Sequence, residues 1–328
     1  MPRVLFYEPS FRKIQDRLPK SGIEPILMGR DGGMTLNGRP VTPDEARPEV
    51  GWTNTDLFFG GPVQEHMRIL RGSADLKWLH SAAAGFEHPM FAEFVRRGVR
   101  LTTNHTQAVG IADLVLWGVL DHFQDGPERR AAQAERRWRQ QPFREIRGTT
   151  WLIVGFGAIG EETARRAKAF GARIVGVRRT AGGHELADET AAPDQILSRA
   201  PQADVVVLAA PLNRHTENMA NAAFFAAMKP GSVLVNVGRG GLVDEAALLA
   251  ALDRGTPERA VLDVFRAEPL APDSPFWGHP RVTLTGHTAG LGSGLAERSR
   301  EVFLENLGRY LSGAPLLYEA DPRDVLDV

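Results

Sequence analysis

Residues 149–171 read TTWLIVGFGAIGEETARRAKAFG, and this stretch decides the fold class of the chain. A short apolar run at residues 151–154 predicts a buried strand. The glycine-rich sequence Gly155-Phe156-Gly157-Ala158-Ile159-Gly160 follows it, and apolar side chains then recur at helical spacing up to residue 170. Strand, glycine turn and helix in this order predict a dinucleotide site, which is a far more specific signal than the glycine pattern alone.

The three glycines of this turn have separate expected roles. Gly155 permits the tight bend, Gly157 lets the backbone approach a pyrophosphate, and Gly160 lets the helix pack closely on the strand. The helix N-terminus adds free amide groups and the positive end of the helix dipole, which both favour phosphate. Because the pattern lies near the middle of a 328-residue chain, a substantial domain is expected to precede the nucleotide domain.

Composition excludes several classes of function. The chain is 43% hydrophobic and 24% charged with a formal net charge of −1, so neither nucleic-acid nor membrane binding is expected. It has no cysteine, which excludes disulfides, thiolate catalysis and cysteine-ligated metal. The nine histidines show no metal-ligand spacing, so no metal site is expected. No apolar run approaches the ~20 residues of a membrane span, and the N-terminus is not typical of a signal peptide, so a cytoplasmic protein is expected.

The alternation of strand and helix patterns predicts an α/β protein with two Rossmann-like or flavodoxin-like domains, doubly wound parallel sheets and an interdomain cleft. Residues 105–285 are assigned to the nucleotide-binding domain, and residues 1–104 plus 286–328 to the substrate-binding domain. Strands are predicted at residues 4–7, 24–27, 77–80, 99–102, 151–154, 173–177, 204–209, 232–237, 260–264 and 281–285, and helices at residues 12–18, 63–70, 89–97, 108–123, 127–141 and 295–311.

The end of the second nucleotide-domain strand indicates which nucleotide is bound. An NAD site usually has an acidic residue about 20 residues after the glycines, where it binds the adenosine ribose. Here Arg178 occupies that position, followed by Arg179 and Thr180. Because an arginine can pair with a 2′-phosphate, the sequence predicts a preference for NADP(H), with NAD(H) as the alternative cofactor. The competing interpretation is that both arginines are solvated and the site is unselective.

Three charged residues follow successive strands of the nucleotide domain, at the carboxyl ends where open α/β sheets build their sites. Arg239 lies in a glycine turn, Glu268 precedes Pro269, and His287 follows Gly286. Each alone has an ordinary structural explanation. The three in this order, after a dinucleotide pattern, predict a catalytic group.

With these residues the chain resembles the D-isomer-specific 2-hydroxyacid dehydrogenases. The pair Arg178-Arg179 is similar to that of the glyoxylate/hydroxypyruvate reductase branch. The resemblance covers most of residues 150–290 and is weak before them. The stretches that carry it are residues 155–160, Ala210-Pro211-Leu212 with Thr216 and Asn218, residues 228–231, residues 236–240, residues 262–265 with Glu268-Pro269, residues 287–290 and, more weakly, residues 83–85 and 101–104.

The resemblance implies a role for each charged residue. Arg239 would bind the carboxylate and carbonyl oxygen of a 2-oxo acid, and His287 would donate a proton to that oxygen. Glu268 would hold the imidazole and favour its charged form. Backbone amides of Ala84 and Gly85 would meet the substrate carboxylate.

Further assignments complete the expected site. Asp263 would, by resemblance, contact the nicotinamide carboxamide. Trp52, in the sequence Val50-Gly51-Trp52-Thr53-Asn54, is either a wall of the substrate pocket or a core residue. Gly286 departs from the family pattern, which commonly has proline before the catalytic histidine, so a looser loop is expected. The remaining residues assigned to the cofactor are Ala210, Pro211, Thr216, Val237, Gly238 and Gly290.

The implied reaction is NAD(P)H-dependent reduction of a small 2-oxo acid, such as glyoxylate or hydroxypyruvate, to the D-2-hydroxy acid. The resemblance also implies a homodimer, with residues 108–123 and 127–141 as the candidate interface. One alternative is a dehydrogenase for a bulkier acid such as phosphoglycerate, although residues 81–86 offer no cation for a phosphate. The other is a non-catalytic nucleotide-sensing protein on the same fold, which retention of Arg239, Glu268 and His287 argues against.

Overall fold

The computed structural model describes residues 1–85, 88–179 and 182–326. The chain divides into two compact units, one formed by residues 1–106 and 293–328 and the other by residues 107–292. Each unit contains a largely parallel seven-stranded sheet within the described residues, with helices between the strands. The prediction of two α/β domains with parallel sheets is therefore confirmed.

The first unit has a sheet in the order β4-β3-β2-β1-β5-β6-β7, in which β3 and β4 form an antiparallel edge. Its strands are β1 (Arg3–Tyr7), β2 (Glu24–Met28), β3 (Met34–Leu36), β4 (Arg39–Val41), β5 (Val50–Thr53), β6 (Trp78–Ser81) and β7 (Arg100–Thr102). Its helices are α1 (Glu8–Phe11), α2 (Pro43–Ala46), α3 (Thr55–Gly60), α4 (Val63–Gly72), α5 (Pro89–Arg96), α12 (Leu295–Ser312) and α13 (Pro322–Leu326).

One face of this sheet packs on α12. Phe303 of α12 is completely buried and stacks on Trp52 of β5, with ring centroids 4.3 Å apart. Beside Trp52 lies His80 of β6, whose Nδ1 is 2.8 Å from the Thr102 hydroxyl. Burial lowers the pKa of His80 to about 3, so this ring is neutral and structural near neutral pH.

The second unit has an all-parallel sheet in the order β10-β9-β8-β11-β12-β13-β14. The strand order reverses between β8 and β11, and open α/β sheets bind ligands at the carboxyl ends of the strands beside such a reversal. The strands are β8 (Thr150–Val154), β9 (Arg173–Val177), β10 (Glu189–Ala191), β11 (Val205–Leu208), β12 (Val233–Asn236), β13 (Arg259–Leu262) and β14 (Val282–Leu284). The helices are α6 (Ala108–Phe123), α7 (Gly126–Ala134), α8 (Ala158–Ala169), α9 (Ile196–Arg199), α10 (Ala222–Ala227) and α11 (Glu245–Asp253).

Both faces of this sheet are covered, as its apolar strands require. In β8, Leu152 and Val154 join the core on one face, while Trp151 and Ile153 join the core on the other face with α6 and α8. Continuous apolar runs suit such doubly covered parallel strands because every side chain is buried.

One predicted helix is absent and another is shorter than predicted. The helix predicted at residues 12–18 is absent, because a short helix begins earlier at Glu8 and only a 3₁₀ turn, Gln15–Arg17, follows. The helix predicted at residues 127–141 ends at Ala134. There Arg136 adopts a left-handed backbone with φ of 55°, and the amide of Arg137 donates to the carbonyl of Ala132. This is the hydrogen bonding of a helix C-cap, formed here without the glycine that usually marks it.

The amino-terminal edge of the second sheet is held by Asp204. Its carboxylate accepts hydrogen bonds from Lys229 Nζ (2.6 Å) and the amide of Thr150 (2.8 Å), and it pairs with Arg144. Although burial raises the pKa of Asp204, these hydrogen bonds and charges hold it below its usual value. Lys229 belongs to a stretch that carried the family resemblance, and the structure places its ammonium group at the edge opposite the glycine turn.

Candidate active site

The glycine turn has the backbone that its sequence predicts. Gly155 has a φ of +95°, and a Cβ there would lie 2.4 Å from the amide nitrogen of Ala210. A Cβ on Gly160 would lie 2.5 Å from the carbonyl oxygen of Gly155, which is the close approach of helix to strand. Beside Gly157, by contrast, a Cβ would meet no atom of the described residues within 4 Å. The turn is therefore closely packed at Gly155 and Gly160 and has open space beside Gly157, as a pyrophosphate site requires.

The start of α8 fits a phosphate group. Gly157 is the N-cap and has no side chain to satisfy the first amide groups of this 12-residue helix. Ala158 and Ile159 therefore present amides with the positive end of the helix dipole. At the end of β9, Arg178 is half-buried, and its amide donates to the carbonyl of Ala191 at 3.1 Å.

The other residues assigned to the adenosine end differ in what the structure shows of them. Arg179 is exposed, and Thr180 lies outside the described residues. The ring of Phe156 is buried, so only the backbone of this residue faces the turn.

Residues after β11 and β12 lie at the same edge as the glycine turn. A Cβ on Gly238 would lie 2.9 Å from the carbonyl oxygen of Ala210, so the two connections touch. The Thr216 hydroxyl donates to the carbonyl of Pro211 (2.7 Å) and accepts from the amide of Asn213 (2.9 Å), so it closes its own turn.

The two other residues assigned to the cofactor have backbone or packing contacts of their own. The amide of Val237 donates to the carbonyl of Leu208 at 3.1 Å, which extends the pairing of β11 and β12. Gly290 lies beside Gln107, near the start of α6.

The centre of the site is a histidine–carboxylate pair. His287 Nδ1 lies 2.6 Å from Glu268 Oε2, and Glu268 Oε1 accepts a hydrogen bond from the amide of Phe265 at 2.9 Å. The carboxylate is thus fixed by backbone and orients the imidazole. Because Nδ1 donates to the carboxylate, Nε2 is the atom that can exchange a proton with a substrate.

Arg239 lies one strand away from this pair. It follows β12, is half-buried, and its Nη1 donates to the carbonyl of Gly238 at 2.8 Å. The next residue, Gly240, packs on the peptide after Phe265, where an added Cβ would lie 1.8 Å from the Phe265 carbonyl carbon. The amide of Phe265 also donates to Glu268. The turn that carries Arg239 and the loop that carries Glu268 are therefore in direct contact through Phe265.

The loop that carries His287 is held by Asp263. The Asp263 carboxylate, only 2% exposed, accepts from the Thr285 hydroxyl (2.5 Å) and the Thr288 amide (2.9 Å), and both of its oxygens accept from the Ala289 amide. The amide of His287 donates to the Asp263 carbonyl at 2.8 Å. His287 itself has a left-handed φ of 55°, a conformation that needs such support in a residue other than glycine.

This arrangement bears on two expectations. The resemblance implies a nicotinamide contact for Asp263, and the structure adds that both of its carboxylate oxygens accept hydrogen bonds from the loop that carries His287. The loop after Gly286, which was expected to be looser, is hydrogen-bonded to Asp263. The second compact unit includes residues up to 292, whereas the sequence predicted a boundary at residue 285. Sequence reasoning missed this role because most of the donors are backbone amides, which leave no residue pattern.

The substrate assignments in the first unit have different outcomes. Ala84 and Gly85 are partly exposed and follow β6. The carbonyl of their neighbour Ala83 accepts from the amide of Asn104 at 2.9 Å, which ties this loop to β7. Trp52 is completely buried beneath α12, so the structure supports the core alternative and its side chain does not wall a pocket.

Two further structural findings concern metals and membranes. Within residues 1–85, 88–179 and 182–326, no group of three or more histidine or acidic side chains is arranged to hold a metal ion. Among the helices of those ranges, none is both long enough and apolar enough to cross a membrane.

Comparison with known proteins identifies the family. Residues 116–289 match the model of the D-isomer specific 2-hydroxyacid dehydrogenase NAD binding domain. A glyoxylate reductase of Pyrococcus furiosus is 34% identical over 74% of this chain and 74% of its own. A D-isomer specific 2-hydroxyacid dehydrogenase from Xanthobacter autotrophicus, solved with NADPH and MES, is 26% identical with a TM-score of 0.77 and covers 99% of each chain.

A second solved structure is similar over the whole chain. The NADPH-dependent glyoxylate/hydroxypyruvate reductase of Sinorhizobium meliloti, solved with NADP and sulfate, is 25% identical with a TM-score of 0.74 and covers 99% of this chain and 100% of its own. The present chain belongs to the D-isomer-specific 2-hydroxyacid dehydrogenase family and is an NAD(P)-dependent oxidoreductase.

Proposed function

We propose that this protein reduces a small 2-oxo acid of the glyoxylate or hydroxypyruvate type to the D-2-hydroxy acid. The observation that carries the proposal is the contact of 2.6 Å between His287 and Glu268, one strand away from Arg239 at the edge of the glycine turn. Relatives named glyoxylate reductase support the substrate class.

The side chains divide the work of this reaction. Arg239 binds the carboxylate and carbonyl oxygen of the acid with its guanidinium group. A bound reduced nicotinamide supplies the hydride. His287 donates the proton on Nε2 to the carbonyl oxygen, and Glu268 holds Nδ1 and stabilises the imidazolium by its charge.

A substrate panel tests this proposal. The loss of reduced nicotinamide absorbance is followed with glyoxylate, hydroxypyruvate, pyruvate, phenylpyruvate and phosphohydroxypyruvate. We expect the highest kcat/KM with glyoxylate or hydroxypyruvate. Turnover of the phosphorylated acid alone would favour the bulky-substrate alternative. Tight cofactor binding without turnover of any acid would favour a nucleotide sensor.

We further propose that NADP(H) is preferred over NAD(H), because Arg178 stands half-buried at the end of β9, where NAD sites place an acid. Arg178→Asp should lower the ratio of kcat/KM for NADPH to that for NADH by about tenfold or more, the loss expected for a charge-assisted hydrogen bond. Arg173→Asp makes the same charge change at the other end of β9 and should leave the ratio unchanged. An unchanged ratio for Arg178→Asp would show that Arg178 does not bind the 2′-phosphate.

We also propose a homodimer formed through α6 and α7. Trp117 of α6 is 47% exposed and, with Phe170 after α8, lines a groove of about 680 Å³ between α6, α7 and α8. Exposed aromatic side chains are typical of protein interfaces. Light scattering should give the mass of a dimer, and Trp117→Arg should give a folded monomer. Leu197→Arg, at an exposed position on α9, is the matched control. A dimer that survives Trp117→Arg would place the interface elsewhere.

A further inference from the structure

The ring of Phe156 joins the glycine turn to the neighbouring strand β9. It is 5% exposed and lies on Gly176, where an added Cβ would come within 2.6 Å of the ring. The amide of Phe156 also donates to the carbonyl of Val177 at 3.0 Å. The position of the glycine turn is therefore fixed relative to the strand that leads to Arg178.

His184, between β9 and β10, packs against the same ring. The two ring centroids are 5.0 Å apart with an interplanar angle of 84°, an edge-to-face contact. His184 Nδ1 accepts from the amide of Leu186 at 3.2 Å, so the neutral ring carries its proton on Nε2. Nε2 lies 3.3 Å from a carboxylate oxygen of Glu161 in the first turn of α8. Both ring nitrogens of His184, and its ring packed on Phe156, are thus used in contacts.

The chain after His184 is also anchored. The amide of Ala187 donates to the carbonyl of His184 at 3.0 Å, and that of Asp188 donates to the carbonyl of Ile174 at 2.9 Å. Asp188 returns the contact by accepting from the amide of Ile174 at 2.8 Å. These hydrogen bonds fix the backbone around His184, so its ring can hold the glycine turn in place through Phe156.

We propose that His184 is a positioning residue for the adenosine end of the cofactor. Arg178 and Arg179 leave the end of β9, and His184 fixes the chain downstream of them to both Phe156 and α8. It thereby sets the separation between the arginines, which would bind a 2′-phosphate, and the turn, which would bind the pyrophosphate. The role of His184 rests on the NADP(H) preference proposed above.

Calorimetric titration of the full chain with two adenosine fragments tests this role without turnover. Adenosine 2′,5′-bisphosphate reports the 2′-phosphate contacts, and AMP reports the rest of the adenosine site. His184→Ala should weaken binding of the bisphosphate by about fivefold to tenfold, as expected for the loss of a hydrogen bond, and that of AMP by less. His184→Phe, which keeps the ring contact, should lose less than His184→Ala, and His184→Asn serves if either variant fails to fold.

His122→Ala is the matched control. His122 is a partly buried histidine at the opposite edge of the sheet, with Glu258 as its carboxylate partner at 3.7 Å. The variant His122→Ala should lower the midpoint of thermal unfolding without changing the ratio of the affinities for the bisphosphate and AMP. A His184→Ala variant that behaves like His122→Ala, with equal effects on both fragments, would overturn the positioning role. If Arg178→Asp changes the ratio of the affinities for the bisphosphate and AMP, and His184→Ala does not, only the positioning role of His184 is wrong. If neither variant changes this ratio of affinities, the proposed NADP(H) preference is wrong as well.

Discussion

Replacing His287 with glutamine should lower kcat for 2-oxo acid reduction by about 10³-fold, within the range typical of a lost general acid. The glutamine amide can still donate to Glu268, which accepts from His287 at 2.6 Å, so the loop is expected to keep its shape. On the proposed mechanism, the variant loses the proton that the imidazolium would give to the carbonyl oxygen. Steady-state kinetics with the best acid of the panel measures the change in kcat.

Equilibrium binding distinguishes this loss from a damaged site. The affinity for NADP⁺ should change by less than about threefold, because in the proposed mechanism His287 acts on the carbonyl and not on the nucleotide. Retained kcat in His287→Gln would remove His287 as the acid. Equal losses of kcat and of NADP⁺ affinity would mean that the substitution disturbs the loop rather than the proton transfer.

The sequence predicts well those strands and helices in which most side chains are apolar and buried. Six of the seven described strands of the second unit lie within one or two residues of their predicted bounds, because their apolar runs are continuous. The helix Ala108–Phe123 has its predicted bounds for the same reason, since many of its residues are buried. The short strand β10, Glu189–Ala191, was not predicted. The helix predicted to continue to residue 141 ends at Ala134, where Arg136 has a left-handed backbone. The sequence did not predict this end because no glycine marks it.

The candidate site shows the same division. Arg239, Glu268 and His287 could be placed at adjacent strand ends, because a parallel sheet brings the carboxyl ends of its strands to one edge. The support of these residues could not be predicted. Asp263 binds mainly backbone amides, and the contact between Phe156 and His184 depends on the shape left by a glycine in β9. Neither arrangement has a spacing that a sequence can reveal.

Asp263→Asn should lower kcat by about tenfold to a hundredfold, because it loosens the loop that holds His287 in its left-handed conformation. In the native chain, the two carboxylate oxygens accept from Thr285, Thr288 and Ala289. An amide offers one acceptor oxygen and places an NH₂ group among donors, which leaves a buried donor unsatisfied at a cost of about 1–3 kcal/mol. Kinetics well below the unfolding temperature, together with urea unfolding, measures both effects.

Two ligands separate this positioning role from the nicotinamide contact that the family resemblance implies. If Asp263 acts through the loop, Asp263→Asn should lower kcat while the affinities for NADP⁺ and adenosine 2′,5′-bisphosphate both stay close to native. If it binds the carboxamide instead, NADP⁺ should bind more weakly and the bisphosphate, which lacks nicotinamide, should not. Thr285→Val removes one of the hydrogen bonds to the carboxylate and should lower kcat in the same way but by less. Native kcat in both variants would show that the loop holds His287 without Asp263.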